Sequence, residues 1–117
     1  GNTTKRVNTA LHFGPDVKNH EQQYFSSNAT ANLQDGNYHL YTMVWDENKI
    51  AVSIDNIPFN TFDIKNNPYF HGNFFVLLNL AVGGAYTGIT NISGITALKE
   101  GEKAAMYIDW IKIIETK

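Results

Sequence analysis

Apolar side chains occur at every second position through much of this chain, and that spacing favours β-structure throughout. Successive side chains of a strand point to opposite faces, so each such segment has one apolar face. Residues 41–45 and 50–54 both show the pattern, and the polar residues 46–48 between them predict a hairpin turn. The Asp-Asn pair at 55–56 predicts a second turn, into a third strand over residues 59–64. The sequence therefore predicts a three-stranded meander.

Three further segments complete the predicted set of strands. Residues 7–13 are the predicted first strand, and residues 106–114 form a β-branched run that predicts the last. Residues 74–82 are apolar on both faces apart from one polar residue, which is typical of a strand in the middle of a sandwich. Trp45 and Trp110 lie in period-two strands and are predicted core residues. Since no window of ten or more residues has a convincing helical period, the predicted class is all-β.

Composition limits the partners that the chain can have. Its 117 residues have the length of one small domain, and 43% hydrophobic against 17% charged residues allow a packed core. The formal charge of −2 comes from scattered residues and leaves no basic stripe, so nucleic acid and anionic membranes are not expected partners. No apolar run is long enough to cross a bilayer. The absence of cysteine excludes disulfides, thiolate metal sites and cysteine nucleophiles from these residues.

Three separated stretches carry recognisable patterns. Residues 9–14 read TALHFG, and residues 39–45 read HLYTMVW, which is similar to an H-x-Y-x-x-x-W strand. Residues 78–88 read LNLAVGGAYTG, close to L-N-L-A-V-G-G-x-W-x-G, and residues 107–113 (YIDWIKI) are similar to a closing V-D-Y-V-R-V strand. In this order, the patterns resemble the C-terminal half of laminarinases and lichenases of glycoside hydrolase family 16. The resemblance covers most of the chain.

The resemblance implies a concanavalin A-like jelly-roll β-sandwich, here incomplete, with residues 1–117 forming one partial domain. It also implies that the parent protein is a retaining endo-β-glucanase that acts on β-1,3 or mixed β-1,3/1,4 glucans and needs no catalytic cofactor. The family's E-x-D-x-x-E motif, which carries the catalytic carboxylates, does not occur in these residues. We therefore expect no catalytic residue in this chain and no glucan hydrolysis by it alone.

Other carboxylates do not replace the missing motif. Retaining glycosidases hold a nucleophile and an acid/base carboxyl group about 5 to 5.5 Å apart. Glu100 and Glu102 have the spacing of two residues on one strand face but lie in a loop, and Asp46 with Glu47 occupies a hairpin tip. We interpret all four as solvated turn carboxylates, because charged side chains are mostly exposed.

Three residues are predicted to contact substrate. His12 matches a histidine that lies beside the catalytic carboxylates in the resembled family, whereas by itself a strand histidine is more simply a hydrogen-bonded polar residue, as His20 and His71 are taken to be. Asn79 either points toward sugar or bonds neighbouring backbone, because an unpaired buried amide costs about 1 to 3 kcal/mol. Tyr86 stands where the family has a tryptophan on the cleft rim, and it either forms a smaller sugar platform or covers the sandwich edge.

Asp109 is a predicted metal ligand on the same grounds, since it matches an aspartate that helps hold a structural calcium in many family members. Calcium takes six to eight oxygen ligands. The family's other ligands come from outside the matched half, so the resemblance implies an incomplete calcium site here.

Two hypotheses for function follow. The first is the glucanase reading, with β-glucan as the partner and an extracellular or periplasmic location inferred from the substrate alone. The second is a non-catalytic glycan-binding or structural jelly-roll module. Because half of a sandwich leaves open strand edges and uncovered apolar surface, we also expect the chain to associate with an N-terminal fragment or with a copy of itself.

Overall fold

The computed structural model describes residues 4–95 and 101–116. They contain five strands and three short 3-10 helices, with no α-helix among them. None of these helices has the length and apolarity needed to cross a membrane. The chain divides into two compact units, Gly1–Phe74 and Phe75–Lys117. All five strands belong to the first unit, and the prediction of an all-β class is confirmed.

The first sheet is an antiparallel pair of β1 (Arg6–Phe13) and β2 (Glu21–Asn28). The strand predicted over residues 7–13 is confirmed, whereas β2 was not predicted. The connecting loop needs Gly14, where φ is +135° and a Cβ atom would lie 2.3 Å from the carbonyl oxygen of Asn19. An Oδ1 atom of Asp16 accepts the backbone N–H groups of Lys18 and Asn19 at 2.8 and 2.9 Å, which fixes the reversal before β2.

The second sheet is the predicted meander, with β3 (Tyr41–Trp45), β4 (Lys49–Ile54) and β5 (Ile57–Asp63) in sequence order. Its first turn is held by Asp46, whose Oδ1 accepts the N–H groups of Asn48 and Lys49 at 2.8 and 3.0 Å. Asp46 therefore stabilises the turn, which agrees with its interpretation as a turn carboxylate.

The second turn of the meander places two residues in the left-handed region. Asp55 and Asn56 have φ of 52° and 63°. Two positive φ values are characteristic of the two-residue turn that matches the twist of paired strands, and Asp and Asn tolerate it better than other residues with a Cβ. The Asp-Asn pair thus predicted this turn correctly.

The core of the first unit lies between the two sheets. Leu11 of β1 packs with Ile50 of β4 and Phe62 of β5, and Ile64 and Phe70 from the segment after β5 complete the cluster. Ile64 has 0% of its surface exposed. The sheets are also joined by Asn60, whose Nδ2 donates to Thr9 Oγ1 at 3.1 Å, and by an edge-to-face contact of Phe25 with Phe59. These contacts make a two-layer β-structure.

Trp45 joins the meander to the residues that follow it. Its Nε1 donates to the carbonyl of Phe70 at 3.1 Å, and its ring meets Phe74 edge to face with centroids 4.8 Å apart. Trp45 is 38% exposed, so its predicted place in the core is only partly realised.

Two predicted strands are wrong in this structure. Residues 74–82 and 106–114 are not assigned as strand, and their side chains are exposed, including Phe75 at 86%, Leu77 at 79% and the predicted core residue Trp110 at 61%. A strand exists only when a neighbour pairs with its backbone. Within the described residues no strand pairs with either segment, so the apolar pattern alone does not produce one.

We expect the chain to self-associate in solution, because β3 lies at an edge of its sheet and exposes Met43 and Val44 at 61% and 54%. An apolar edge strand with unpaired backbone groups is a template for another chain. Light scattering over a concentration series should give masses above the 13.1 kDa of one chain. Val44→Lys should shift the distribution toward monomer, and Asn48→Lys, with the same added charge at the hairpin tip, should not. A monomer at every concentration would contradict the expectation.

Candidate functional site

The β1–β2 pair turns a polar face toward solvent. Along β1 the buried and half-buried positions alternate with exposed ones, because Leu11 and its same-face neighbours pack on the meander. The antiparallel register places the exposed residues of β1 opposite residues of β2 on the same side. We call this surface the hairpin face, and it comprises Arg6, Asn8, Ala10, His12, Gln22, Tyr24, Ser26 and Asn28.

An aromatic ring held by hydrogen bonds lies in the middle of the hairpin face. Tyr24 Oη donates to Asn8 Oδ1 at 2.9 Å, and Ser26 Oγ donates to the same oxygen. Tyr24 is 52% exposed, and its cross-strand partner is the small Ala10. The ring therefore stands in a fixed position with apolar surface open to solvent, next to an amide and a hydroxyl. This combination suits a ligand that has both apolar and hydroxyl-bearing surface.

At one end of the hairpin face, His12 contacts His20, which directly precedes β2. Nδ1 of His12 lies 2.7 Å from Nε2 of His20, and the ring planes differ by 11°. The ring centroids are 5.0 Å apart, which exceeds the nitrogen separation by about the width of one imidazole ring. The rings are therefore edge to edge in nearly one plane, as an N–H···N hydrogen bond requires, and are not face to face.

A shallow depression of about 340 Å³ surrounds this histidine pair. It is lined by His12, Phe13, Gly14, Asp16, Val17 and His20. The side-chain amide and the backbone N–H of Asn19 hold the pKa of Asp16 below its usual value. The depression therefore combines two imidazoles with one ionised carboxylate at neutral pH.

Tyr24 and the partner role of His20 were not predicted from the sequence. The segment EQQYFSSN of β2 has no alternation of apolar and polar residues, so period-two analysis does not find it. The feature of the sequence that could have indicated β2 is the Gly-Pro-Asp turn at 14–16. This turn follows a predicted strand and predicts a reversal of the chain.

A second histidine site joins the loop before β3 to the turn between β4 and β5. His39 Nδ1 lies 2.8 Å from Asp55 Oδ2, and its Nε2 lies 2.9 Å from Asp35 Oδ1. Asp55 Oδ1 also accepts the backbone N–H of Leu40 at 2.9 Å. Both ring nitrogens of His39 are thus engaged by carboxylates. This arrangement indicates a structural role for the imidazole rather than contact with a ligand.

The charges of this site stabilise one another. The hydrogen bond that His39 donates to Asp55 is the main cause that raises the pKa of His39, followed by the one that it donates to Asp35. In return, His39 is the main cause that lowers the pKa of Asp55. The pKa of Asp35 falls to about 2, chiefly because the backbone N–H of Asn37 bonds its carboxylate. These shifts all favour the form of the site in which an imidazolium lies between two carboxylates.

In the second unit, Tyr86 lies at the tip of a tight loop. Gly83 and Gly84 have φ of +68° and +101°, and a Cβ atom at Gly83 would lie 2.9 Å from the carbonyl oxygen of Ile89. The 3-10 helix Ala85–Thr87 follows, and Tyr86 is 78% exposed. The two glycines make a tight turn as predicted, but they do not end a strand, because residues 74–82 are not assigned as one. An exposed ring is what a sugar platform requires, and the role of Tyr86 stays a prediction.

Asn79 and Asp109 also lie in the second unit. Asn79 is exposed, so the expectation that its amide is buried within a strand is wrong, while its predicted contact with substrate stays a prediction. Asp109 is exposed as well. Across residues 4–95 and 101–116, no group of three or more His, Cys, Asp or Glu side chains is placed to hold a metal ion. The described residues therefore do not fit a calcium site by themselves. Glu100, which was interpreted above as a turn carboxylate, lies outside the described residues.

The model of a protein family, glycosyl hydrolases family 16, matches residues 1–112. The chain belongs to this family. The structural resemblance agrees: a family 16 endo-glucanase from Bacteroides ovatus, solved in complex with G4G3G-2F-DNP, is 58% identical and superposes with a TM-score of 0.84. The match covers 87% of this chain and 43% of that chain. The all-β structure thus corresponds to a fragment of the family 16 jelly roll.

Two other family 16 comparisons agree. A Bacteroides ovatus family 16 protein of a mixed-linkage glucan locus, in complex with G4G4G3G product, is 58% identical, with a TM-score of 0.83 and coverage of 85% of this chain and 42% of that chain. Glucan endo-1,3-beta-glucosidase A1 of Niallia circulans is 30% identical over an alignment of 86 residues, with coverage of 65% of this chain and 12% of that protein. The chain thus spans less than half the length of these family 16 relatives.

Proposed function

We propose that the chain is part of an endo-β-glucanase that cleaves mixed β-1,3/1,4 glucan, with β-1,3 glucan as the second substrate class. Mixed-linkage glucan comes first because the 58% identical relatives were solved with ligands of that kind, whereas the endo-1,3 enzyme is 30% identical. Such polymers lie outside the cytoplasm, which supports an extracellular or periplasmic site of action.

The hairpin face is the surface that this chain contributes to glucan binding. The observation that carries this proposal is the exposed ring of Tyr24, held by Asn8 and flanked along the same face by His12. A sugar ring has an apolar C–H face and a rim of hydroxyl groups. The tyrosine ring packs on the former, and the fixed amide, hydroxyl and imidazole groups bind the latter.

Catalysis requires carboxyl groups that the hairpin face does not contain. A retaining glycosidase uses two, about 5 to 5.5 Å apart. We propose that a segment preceding these residues supplies them as the E-x-D-x-x-E motif and that His12 lies beside them in the complete domain. The same segment then covers open strand edges of the two sheets described here. Asp109 supplies one oxygen ligand for a structural calcium whose other ligands also lie in that segment.

Substitution of Tyr24 tests the glucan surface. Tyr24→Ala is expected to weaken binding of a mixed-linkage tetrasaccharide by on the order of tenfold, since tyrosines that become covered in a complex are enriched among the residues whose truncation costs more than about 1 kcal/mol. Tyr24→Phe keeps the ring and should retain most of the affinity. Binding is measured by chemical-shift titration, with Tyr38→Ala as the control because Tyr38 is 67% exposed but lies outside the hairpin face. Equal losses in Tyr24→Ala and Tyr38→Ala would contradict the assignment.

A non-catalytic glycan-binding module is the second candidate, favoured by the absence of E-x-D-x-x-E from these residues. The two candidate functions predict different coding sequences upstream of these residues. An E-x-D-x-x-E codon pattern directly upstream of the codon for Thr3 would exclude the binding module, and a different sequence there would exclude the glucanase.

A further inference from the structure

The histidine pair at the end of the hairpin face brings two imidazole nitrogens within reach of one metal ion. His12 Nδ1 and His20 Nε2 face each other across 2.7 Å, a gap that a single proton occupies in an N–H···N bond. A metal ion is bound by imidazole along the same in-plane direction. Both side chains are exposed, so an ion reaches this region directly from solvent.

We propose that His12 and His20 together bind a late first-row divalent transition metal ion such as Zn²⁺. Imidazole nitrogen suits these ions, and water completes the coordination at an exposed site. At Zn–N distances of about 2.0 to 2.1 Å, two nitrogens on a tetrahedral ion are about 3.3 Å apart. The nitrogens therefore need to move apart by less than about 1 Å from their present 2.7 Å. Because the two rings now face each other nearly in line, each ring also has to turn by roughly 35° to direct its lone pair at a tetrahedral ion.

The surroundings of the pair favour a cation. Asp16 lines the same depression, and its ionised carboxylate adds negative potential there. The backbone on both sides is anchored, since His12 lies within β1 and His20 follows the turn that Asp16 fixes. The backbone therefore loses little conformational freedom when the ion binds. The ion is chemically distinct from the calcium expected at Asp109, because calcium prefers oxygen ligands.

The test is a calorimetric titration of the whole chain with Zn²⁺, using protein that carries no histidine tag. We expect one ion per chain. His12→Ala and His20→Ala should each lower the affinity on the order of 100-fold, because the second imidazole binds the ion intramolecularly. His71→Gln is the matched control, since Nε2 of His71 is hydrogen-bonded to the Ile64 carbonyl and lies outside the depression. Its affinity should equal that of the unsubstituted chain.

Two further measurements separate a loss of metal binding from a loss of folding. His12→Gln and His20→Gln retain side-chain hydrogen bonding and should show the same loss with unchanged far-ultraviolet circular dichroism. Nitrogen-15 shifts of the two imidazoles should move together on addition of Zn²⁺ and stay constant on addition of Ca²⁺. The proposal would be overturned if the unsubstituted chain showed no detectable binding, or if the His12 or His20 variants bound Zn²⁺ as tightly as the unsubstituted chain.

Discussion

Replacing Ile64 with alanine is expected to lower the free energy of unfolding by about 2 to 5 kcal/mol. Ile64 is fully buried, and it packs with Leu11, Phe62 and Phe70 where the two sheets of the first unit meet. Removing its outer carbons forfeits their transfer from water and leaves a cavity that the flanking strands close only in part. The backbone N–H of Ile64, which donates to the carbonyl of Asn48 at 2.8 Å, is unchanged by the substitution.

Urea denaturation followed by tryptophan fluorescence measures this loss. A Trp110→Phe background leaves Trp45 as the reporter for the first unit. Ile64→Val should cost about 0.5 to 1.5 kcal/mol, which gives a graded series even when the alanine variant does not fold. Ile57→Ala is the matched control because Ile57 is 44% exposed, and its cost should stay below that of Ile64→Ala. Equal costs at positions 57 and 64 would show that the core is placed incorrectly.

Removing the imidazole of His39 should destabilise the protein in a limited pH range. The raised pKa of His39 means that its contribution is complete below its unfolded pKa of about 6.5 and is lost as pH rises through the higher folded pKa. The lowered pKa values of Asp35 and Asp55 mean that their contributions are complete above about pH 3.9 and are lost as pH falls. For Asp35 that loss is complete only when pH falls below the folded pKa of about 2.

The stability difference between the unsubstituted chain and His39→Gln should therefore be largest between about pH 4 and 6.5. It should narrow on both sides of that range, because one partner of each ion pair then loses its charge. Thermal unfolding across pH 3 to 9, in EDTA, measures the difference. His20→Gln is the control, since His20 has no carboxylate partner among the described hydrogen bonds and ion pairs. A difference independent of pH would mean that His39 acts by packing and not by charge.

Local sequence patterns predicted the parts of the fold that local contacts determine. The meander followed from alternating apolar residues and from an Asp-Asn turn, and each strand in it pairs with its neighbour along the chain. Strand β2 was missed because its pairing with β1 depends on backbone hydrogen bonds and a tight reversal, and its side chains carry no apolar alternation. Residues 74–82 show the opposite error, since an apolar pattern predicted a strand where no described neighbour pairs with it.

The candidate site was predictable only in part. His12 was identified from a family resemblance, and its position on an exposed strand face agrees with a role in binding. Tyr24 became a candidate only when the register placed it across from Ala10, because nothing in its own segment distinguishes it from other exposed tyrosines. Similarly, the contact of His12 with His20 depends on a loop reversal whose geometry the sequence does not specify.

The core contacts between the sheets also bear on the order of folding. Each sheet is assembled from strands that are adjacent in sequence, whereas the hydrogen bond of Asn60 with Thr9 spans 51 residues. Closing short loops costs less chain entropy than closing long ones, so the two sheets form their internal pairings before they dock. Docking of Leu11 onto the meander is then the late step, and until it occurs both sheets expose to other molecules in the solution the apolar faces that later form the core.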